Sequence, residues 1–128
     1  MKLSFSTLGC PSWSLARILD AAGREGYDGV ELRFVEGDDA LWERPELTGS
    51  GLRETLARLR DAGLGISCVD TRSFFHHTDP EARARAKDEA ARSLDLAARL
   101  GARGIRVFGD RVQPGADRES TSGWIAEA

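Results

Sequence analysis

Apolar positions along the chain switch repeatedly between two periods. In "KLSFSTL" (2–8), Leu3 and Phe5 alternate with Ser4 and Ser6, the period of a strand. In "CPSWSLARILDAAGREG" (10–26), Leu15, Ile18, Leu19 and Ala22 fall at i, i+3, i+4 and i+7, one stripe of a helix. Ser12 or Ser14 suits its start and Gly23 or Gly26 its end. "GYDGVELRF" (26–34) returns to period two, with Val30, Leu32 and Phe34 alternating with Glu31 and Arg33, and predicts a strand over 29–34. "SGLRETLARLRDAG" (50–63) sets Leu52, Leu56 and Leu59 on a second helical stripe that stops at Gly63.

"LGISCVDTR" (64–72) predicts a third strand with Ile66 and Val69 as its apolar members. "TDPEARARAKDEAARSLDLAARLGA" (78–102) predicts the longest helix. Thr78 or Asp79 caps it, Pro80 opens its first turn, and Glu81 completes a capping box with Thr78. Ala86, Ala90, Leu94 and Ala97 supply its contact face. "GIRVF" (104–108) predicts a fourth strand, and "RESTSGWIAEA" (118–128) reads as a fourth helix cut short at Ala128.

Four alternating strand–helix units accept two architectures, an open doubly wound sheet and a closed (β/α)8 barrel. The loop after the first strand, "GCPSWS", has no GxGxxG pattern and no Walker lysine, so it lacks the mark of a nucleotide-binding open sheet. A barrel needs about 250 residues, and this chain has 128. The expected fold is therefore the N-terminal half of a (β/α)8 barrel. Residues 1–128 form one partial barrel domain, from the first strand to the start of the fourth helix.

Composition removes several functions. Eighteen basic and 21 acidic residues give a net charge of -3, against the concentrated positive charge of a nucleic-acid binder. Cys10 and Cys68 are too few for a disulfide framework, and no zinc-type spacing is present. The start "MKLSFSTLGC" lacks the apolar core of a signal peptide, and no run approaches the ~20 apolar residues of a membrane helix. A cytoplasmic protein that touches neither membrane nor nucleic acid is the expectation.

The alternation in "GVELRF" carries the most chemistry. Parallel strands are covered on both faces. In a barrel, Val30, Leu32 and Phe34 then face the helices, while Glu31 and Arg33 face the interior. Ile105 and Val107 likewise point outward and Arg106 inward. Buried charges persist when paired, so a Glu31–Arg106 or Glu31–Arg33 pair is expected. Two roles follow: an interior ion-pair network that holds the barrel, or the wall of a polar pocket for a hydroxylated ligand.

"FSTLGCPSWSLARILDAAGREGYDGVELR", then "SCVDTRSFFHHTDP" and "LAARLGARGIRVFGD", resemble the N-terminal half of sugar phosphate isomerases/epimerases in the xylose isomerase-like barrel superfamily. The resemblance implies metal-assisted proton transfer on a small keto sugar or polyol. A divalent metal (Mn, Mg, Co or Zn) is expected for the full-length protein. Its ligands and the catalytic glutamates come from later strands, beyond residue 128, so this chain alone is expected to hold no metal and to be inactive. What the resemblance carries over is a substrate wall: Trp13, Cys68, Asp70 and Phe108 at strand ends, beside the inward Glu31, Arg33 and Arg106. DNA-repair endonucleases of the superfamily place zinc-binding histidines at the third and fourth strand ends. Here those ends read "SCVD" and "VFGD".

His76 and His77 lie later, in a loop, where adjacent side chains diverge and only His77 with Asp79 has usable spacing. Cys10, at a helix start, is a small turn residue before it is a nucleophile, and no triad context surrounds any serine. The loop 109–120 falls on the active-site side of a barrel and suits either a lid or a plain connector. Two competing readings stand beside the isomerase: an inosose dehydratase-like lyase, and a non-catalytic half-barrel that forms a homodimer through its open edges.

Overall fold

The computed structural model describes residues Met1–Ala128. Strands β1 (Ser4–Ser6), β2 (Gly29–Leu32), β3 (Gly65–Phe74) and β4 (Ile105–Phe108) form one parallel sheet in chain order. Helices α1 (Leu15–Arg24), α2 (Gly49–Asp61) and α3 (Pro80–Leu100) link successive strands, and α4 (Arg118–Ala126) follows the last. A doubly wound sheet returns a later strand to the side of the first. Unbroken sequential order is the barrel's, so the chain is half of an α/β barrel, as the alternation predicts.

The core lies between the sheet and its helices. The α1 stripe of Leu15, Ile18, Leu19 and Ala22 is buried as expected, against Val30 and Leu32 of β2 and Ile66 and Val69 of β3. Ser14 accepts the Arg17 amide and caps α1. Asp79, rather than Thr78, caps α3 by accepting from the amides of Glu81 and Ala82, so the Thr78–Glu81 box does not form. The face α3 buries is Ala86, Ala90, Ser93, Leu96, Ala97 and Leu100. Leu94 is exposed, a correction to the expected stripe. Ser93 fits inside because its hydroxyl donates to the Glu89 carbonyl of its own helix.

Two strands differ in length from the pattern. The first is only three residues long, because Thr7 turns away into a 3₁₀ turn, Thr7–Gly9. Its fully buried hydroxyl accepts from the amides of both Arg33 and Phe34, at 2.8 and 2.9 Å. That clasp ends β2 at Leu32, so Phe34 does not pack on the helices; its ring lies under the Arg33 guanidinium, 4.2 Å away. β3, by contrast, runs on through Phe74, since Phe74 pairs with Phe108 and the Phe75 amide bonds the Phe108 carbonyl.

Register carries the site. Val30 faces Ile66 but Glu31 faces Cys68, so Ser67 is an extra residue in β3. Below the bulge, β2 and β3 approach so closely that a Cβ on Gly29 would sit 2.6 Å from the Gly65 carbonyl oxygen. β1 and β4 are the sheet's two edges, and apolar Leu3 and Leu8 beside one, with Val107 and Val112 at the other, are exposed. Val107 is therefore exposed and does not pack on a helix as predicted, whereas Ile105 packs against the core.

Thr7→Val keeps the shape but strands two amides, and should cost about 1–3 kcal/mol of stability. Thr7→Ser should retain most of it. Urea unfolding of the two variants measures the difference.

Candidate functional site

The interior face of the sheet is polar. At its lower end the hydroxyls of Ser4 and Ser67 bond each other at 2.8 Å. Above them Glu31 stands opposite Cys68, and Asp70 opposite Arg106. Asp70 is 2% exposed. Its Oδ2 lies 3.3 Å from Arg106 Nη1 and 3.8 Å from Arg33 Nε. Both arginines thus converge on Asp70, and Glu31 takes part in no ion pair, against the expected Glu31–Arg106 or Glu31–Arg33 pairing. The cause is register: β3 and β4 pair Asp70 with Arg106, the bulge at Ser67 sets Cys68 opposite Glu31, and the Thr7 clasp holds Arg33 past the end of β2.

The charges continue outward. Arg33 Nη1 is 3.4 Å from Asp39 of the loop after β2, and Asp39 Oδ1 is 3.2 Å from Arg72. Arg72 is clasped by Glu89 of α3. An alternating series Arg106–Asp70–Arg33–Asp39–Arg72–Glu89 therefore runs from the interior over the rim of the sheet to a helix. Burial pushes the Asp70 carboxyl above its ordinary value, with Arg106 and Arg33 only partly offsetting it. Asp70 Oδ1 and Arg33 Nη1 are enclosed without hydrogen-bond partners, so the cluster has polar capacity left over.

Aromatic rings back the guanidiniums. Arg106 lies 4.7 Å over Phe108, whose ring centroid is 5.1 Å from that of Phe74. Cys68 is half-buried, and burial first, then the nearby Glu31 and Asp70, raises its thiol pKa. It is a neutral thiol in this wall. Trp13 stands apart: its ring packs against the core and carries the Arg17 guanidinium at 4.1 Å, which ties it to α1. Burial also raises the Cys10 thiol despite nearby Arg17, which leaves it a turn residue. The structure thus gathers Glu31, Arg33, Cys68, Asp70, Arg106 and Phe108 on one wall and leaves Trp13 at its margin.

No three His, Cys, Asp or Glu side chains are grouped to hold a metal ion. Asp79 is spent on the α3 cap, and Asp70 already faces two arginines. The donor set of these residues does not fit the divalent metal that the resemblance implies. Sequence reasoning passed over Asp39 and Thr7. A carboxylate two places after a turn ("EGDD") gives no periodic signal, and Thr7 sits where a strand was expected to continue.

His76 is the other buried titratable group, 3% exposed. Burial is the main cause that lowers its pKa, and Asp110 partly opposes it. Because the folded value lies below the ordinary value of about 6.5, the neutral form stabilises the fold. That contribution is present above the unfolded value and is lost as pH falls from about 6.5 through the folded value. Stability should therefore drop between pH 7 and 5, and His76→Gln should flatten the slope there, measured by denaturant titration at each pH.

The family model described as Xylose isomerase-like TIM barrel matches residues 19–128. No curated protein matches the sequence. Among solved structures, 3-keto-D-glucoside 4-epimerase YcjR from E. coli superposes with a TM-score of 0.71 at 18% identity, over 99% of this chain and 48% of its own. Protein SMc04130 from Sinorhizobium meliloti 1021 gives 0.68 at 21% identity, over 98% and 42%. The probable 3-DHS dehydratase AsbF from Bacillus anthracis gives 0.67 at 21% identity, over 84% and 38%. The chain spans less than half the length of each of the three. With four sequential parallel strands and a family match that runs from α1 to the last residue, the chain belongs to the xylose isomerase-like TIM barrel family.

Proposed function

We propose that this half-barrel is the substrate wall of a sugar isomerase or epimerase-like enzyme that moves a proton beside the carbonyl of a small keto sugar or related polyol. The observation that carries the reading is the polar interior layer shared by β2, β3 and β4. There a free carboxylate, Glu31, stands near two guanidiniums gathered on one buried carboxylate. Barrel enzymes keep their chemistry at strand C-terminal ends. Hydroxyl groups need both acceptors and donors: Glu31 accepts, and Arg106, half-exposed, donates from the N–H groups that Asp70 does not use. Phe108 supplies an apolar surface beside them, suited to the C–H face of a sugar.

Acceptors and donors here nearly balance in charge, which suits a neutral polyhydroxylated ligand. The groups that would remove the proton, and the divalent metal that would polarise the carbonyl, belong in this reading to further βα units of a complete barrel. A dehydratase among the structural neighbours supports a lyase as the second reading, because loss of water from a keto compound starts with the same proton abstraction.

Saturation-transfer NMR with a panel of keto sugars and polyols tests the wall on this chain. Binding of at least one ligand is expected, weakened about tenfold, or ~1.4 kcal/mol, in Arg106→Ala. Binding of none, or binding untouched by both Arg106→Ala and Glu31→Gln, would contradict the reading.

A further inference from the structure

A cavity of about 590 Å³, open to solvent, lies at the N-terminal ends of β1, β2 and β3, beside the turn that leads into β4. Gly65 in its lining precedes Asp70 by five residues of β3, about 16 Å at the rise of a strand. The cavity and the Asp70–Arg106 layer are therefore separate places on the sheet. We propose that the cavity is a second binding site for a small, hydroxylated phosphate monoester. Lys2 and Arg103 hold its phosphate, and Asp28 with the Ser4–Ser67 pair takes its hydroxyls. The inference goes beyond the polyol-binding reading and does not depend on it.

Charge is the first support. Lys2 and Arg103 both line the cavity, and neither is held in an ion pair, unlike Arg99 and Arg106 on the adjoining elements. The one carboxylate in the lining, Asp28, is already engaged, since its Oδ2 accepts the Leu3 amide at 2.7 Å. The balance is positive, and a phosphate monoester, with a charge of about −1.5 to −2 at pH 7, neutralises it. Arg103 suits a bidentate contact with two phosphate oxygens, and Lys2 a point contact with the third. The negative end of the α3 dipole also lies here, but the amides of Gly101 and Ala102 already bond the carbonyls of Ala98 and Ala97.

Placement is the second. Leu3 is tied to Asp28 twice: its amide donates to the carboxylate, and its carbonyl accepts the Asp28 amide at 2.8 Å. Lys2 thus extends from a fixed neighbour. Arg103 stands between the Ala102 amide, bonded to the Ala97 carbonyl, and the Gly104 carbonyl, which accepts from Val69 at 3.2 Å. Lys2 precedes β1 and Arg103 precedes β4, the two edge strands. Those edges are three strand spacings apart, about 14 Å, a gap that two long side chains close around one anion.

Shape is the third. Gly29, Gly65 and Gly101 are all in the lining. Gly101 is required by its left-handed φ of 70° at the end of α3. Gly65 is not required by packing: a Cβ there would meet nothing nearer than the Asp28 carbonyl oxygen, at 4.0 Å. Its bare backbone instead leaves the cavity its width. Above it the Ser4 and Ser67 hydroxyls share one hydrogen bond at 2.8 Å, so one O–H and several lone pairs remain for a ligand hydroxyl. The volume is that of a small-molecule site, about 300–1,000 Å³, and exceeds what inorganic phosphate alone would fill.

Amide ¹H–¹⁵N spectra of the whole chain, titrated at pH 7.5 with inorganic phosphate and with glycerol phosphate, test the site. Saturable shifts are expected at Gly65, Ser67 and Gly101 with both probes, and glycerol phosphate should bind the more tightly. Sodium chloride at matched ionic strength should reproduce neither. Lys2→Ala and Arg103→Ala should each weaken binding about fivefold, the upper end for an exposed ion pair. Arg60→Ala, which removes an exposed arginine outside the cavity, should leave binding unchanged. All three side chains are exposed, so each variant keeps the fold. Shifts that do not saturate, shifts that chloride reproduces, or affinity untouched in both Lys2→Ala and Arg103→Ala would overturn the proposal. Shifts confined to Arg106 and Phe108 would put the anion on the charged wall and overturn it equally. Equal affinity for the two probes would overturn the assignment to a monoester.

Discussion

A carboxylate enclosed between two guanidiniums is the constraint around which this half-barrel is arranged. Asp70 has almost no contact with solvent, and an uncompensated charge there would be costly. Arg106 supplies the compensation from within β4 and Arg33 from just past the end of β2. Their approach fixes where β4 lies against β3 and how the chain leaves β2. Thr71, the next residue, reinforces the first of these by donating to the Arg106 carbonyl at 2.7 Å. The edge strand β4 is therefore attached at one residue by ladder, side-chain hydrogen bond and ion pair together.

The raised Asp70 carboxyl shows that the arrangement is not a simple gain in stability. Desolvation outweighs the attraction of both arginines, so an apolar substitute of similar shape would serve the fold about as well if stability were the only demand. Retaining the charges leaves unsatisfied polar atoms, Asp70 Oδ1 and Arg33 Nη1, beside the interior face of the sheet. This is the combination expected where a site, and not the core, sets the residue choice. The aromatic layer of Phe74 and Phe108 then divides the wall into a charged lower tier and a mouth tier that holds His76.

Alternation in "GVELRF" and "GIRVF" was enough to read the parallel strands, the barrel order and the inward set Glu31, Arg33 and Arg106. Helix stripes were legible for α1, where three large side chains and Ala22 fall on one face. They were less so for α3, where small residues dominate and Ser93 replaces Leu94. Which charges meet was not legible, because pairing depends on register. The β3–β4 register sets Asp70 beside Arg106, and one extra residue, Ser67, sets Glu31 opposite Cys68. Nor was the role of Asp39 or Asp110 readable, since both lie in loops whose path is set by contacts distant in sequence, such as the Thr7 hydroxyl and Gly109 against α4.

The central claim is that Asp70 and Arg106 act as one unit. A double-mutant cycle with Asp70→Asn and Arg106→Gln, read by urea unfolding, tests it most directly. Arg106 is half-exposed, so the coupling predicted is about 1 kcal/mol, between surface and buried pairs. Strictly additive effects of the two substitutions would contradict the account.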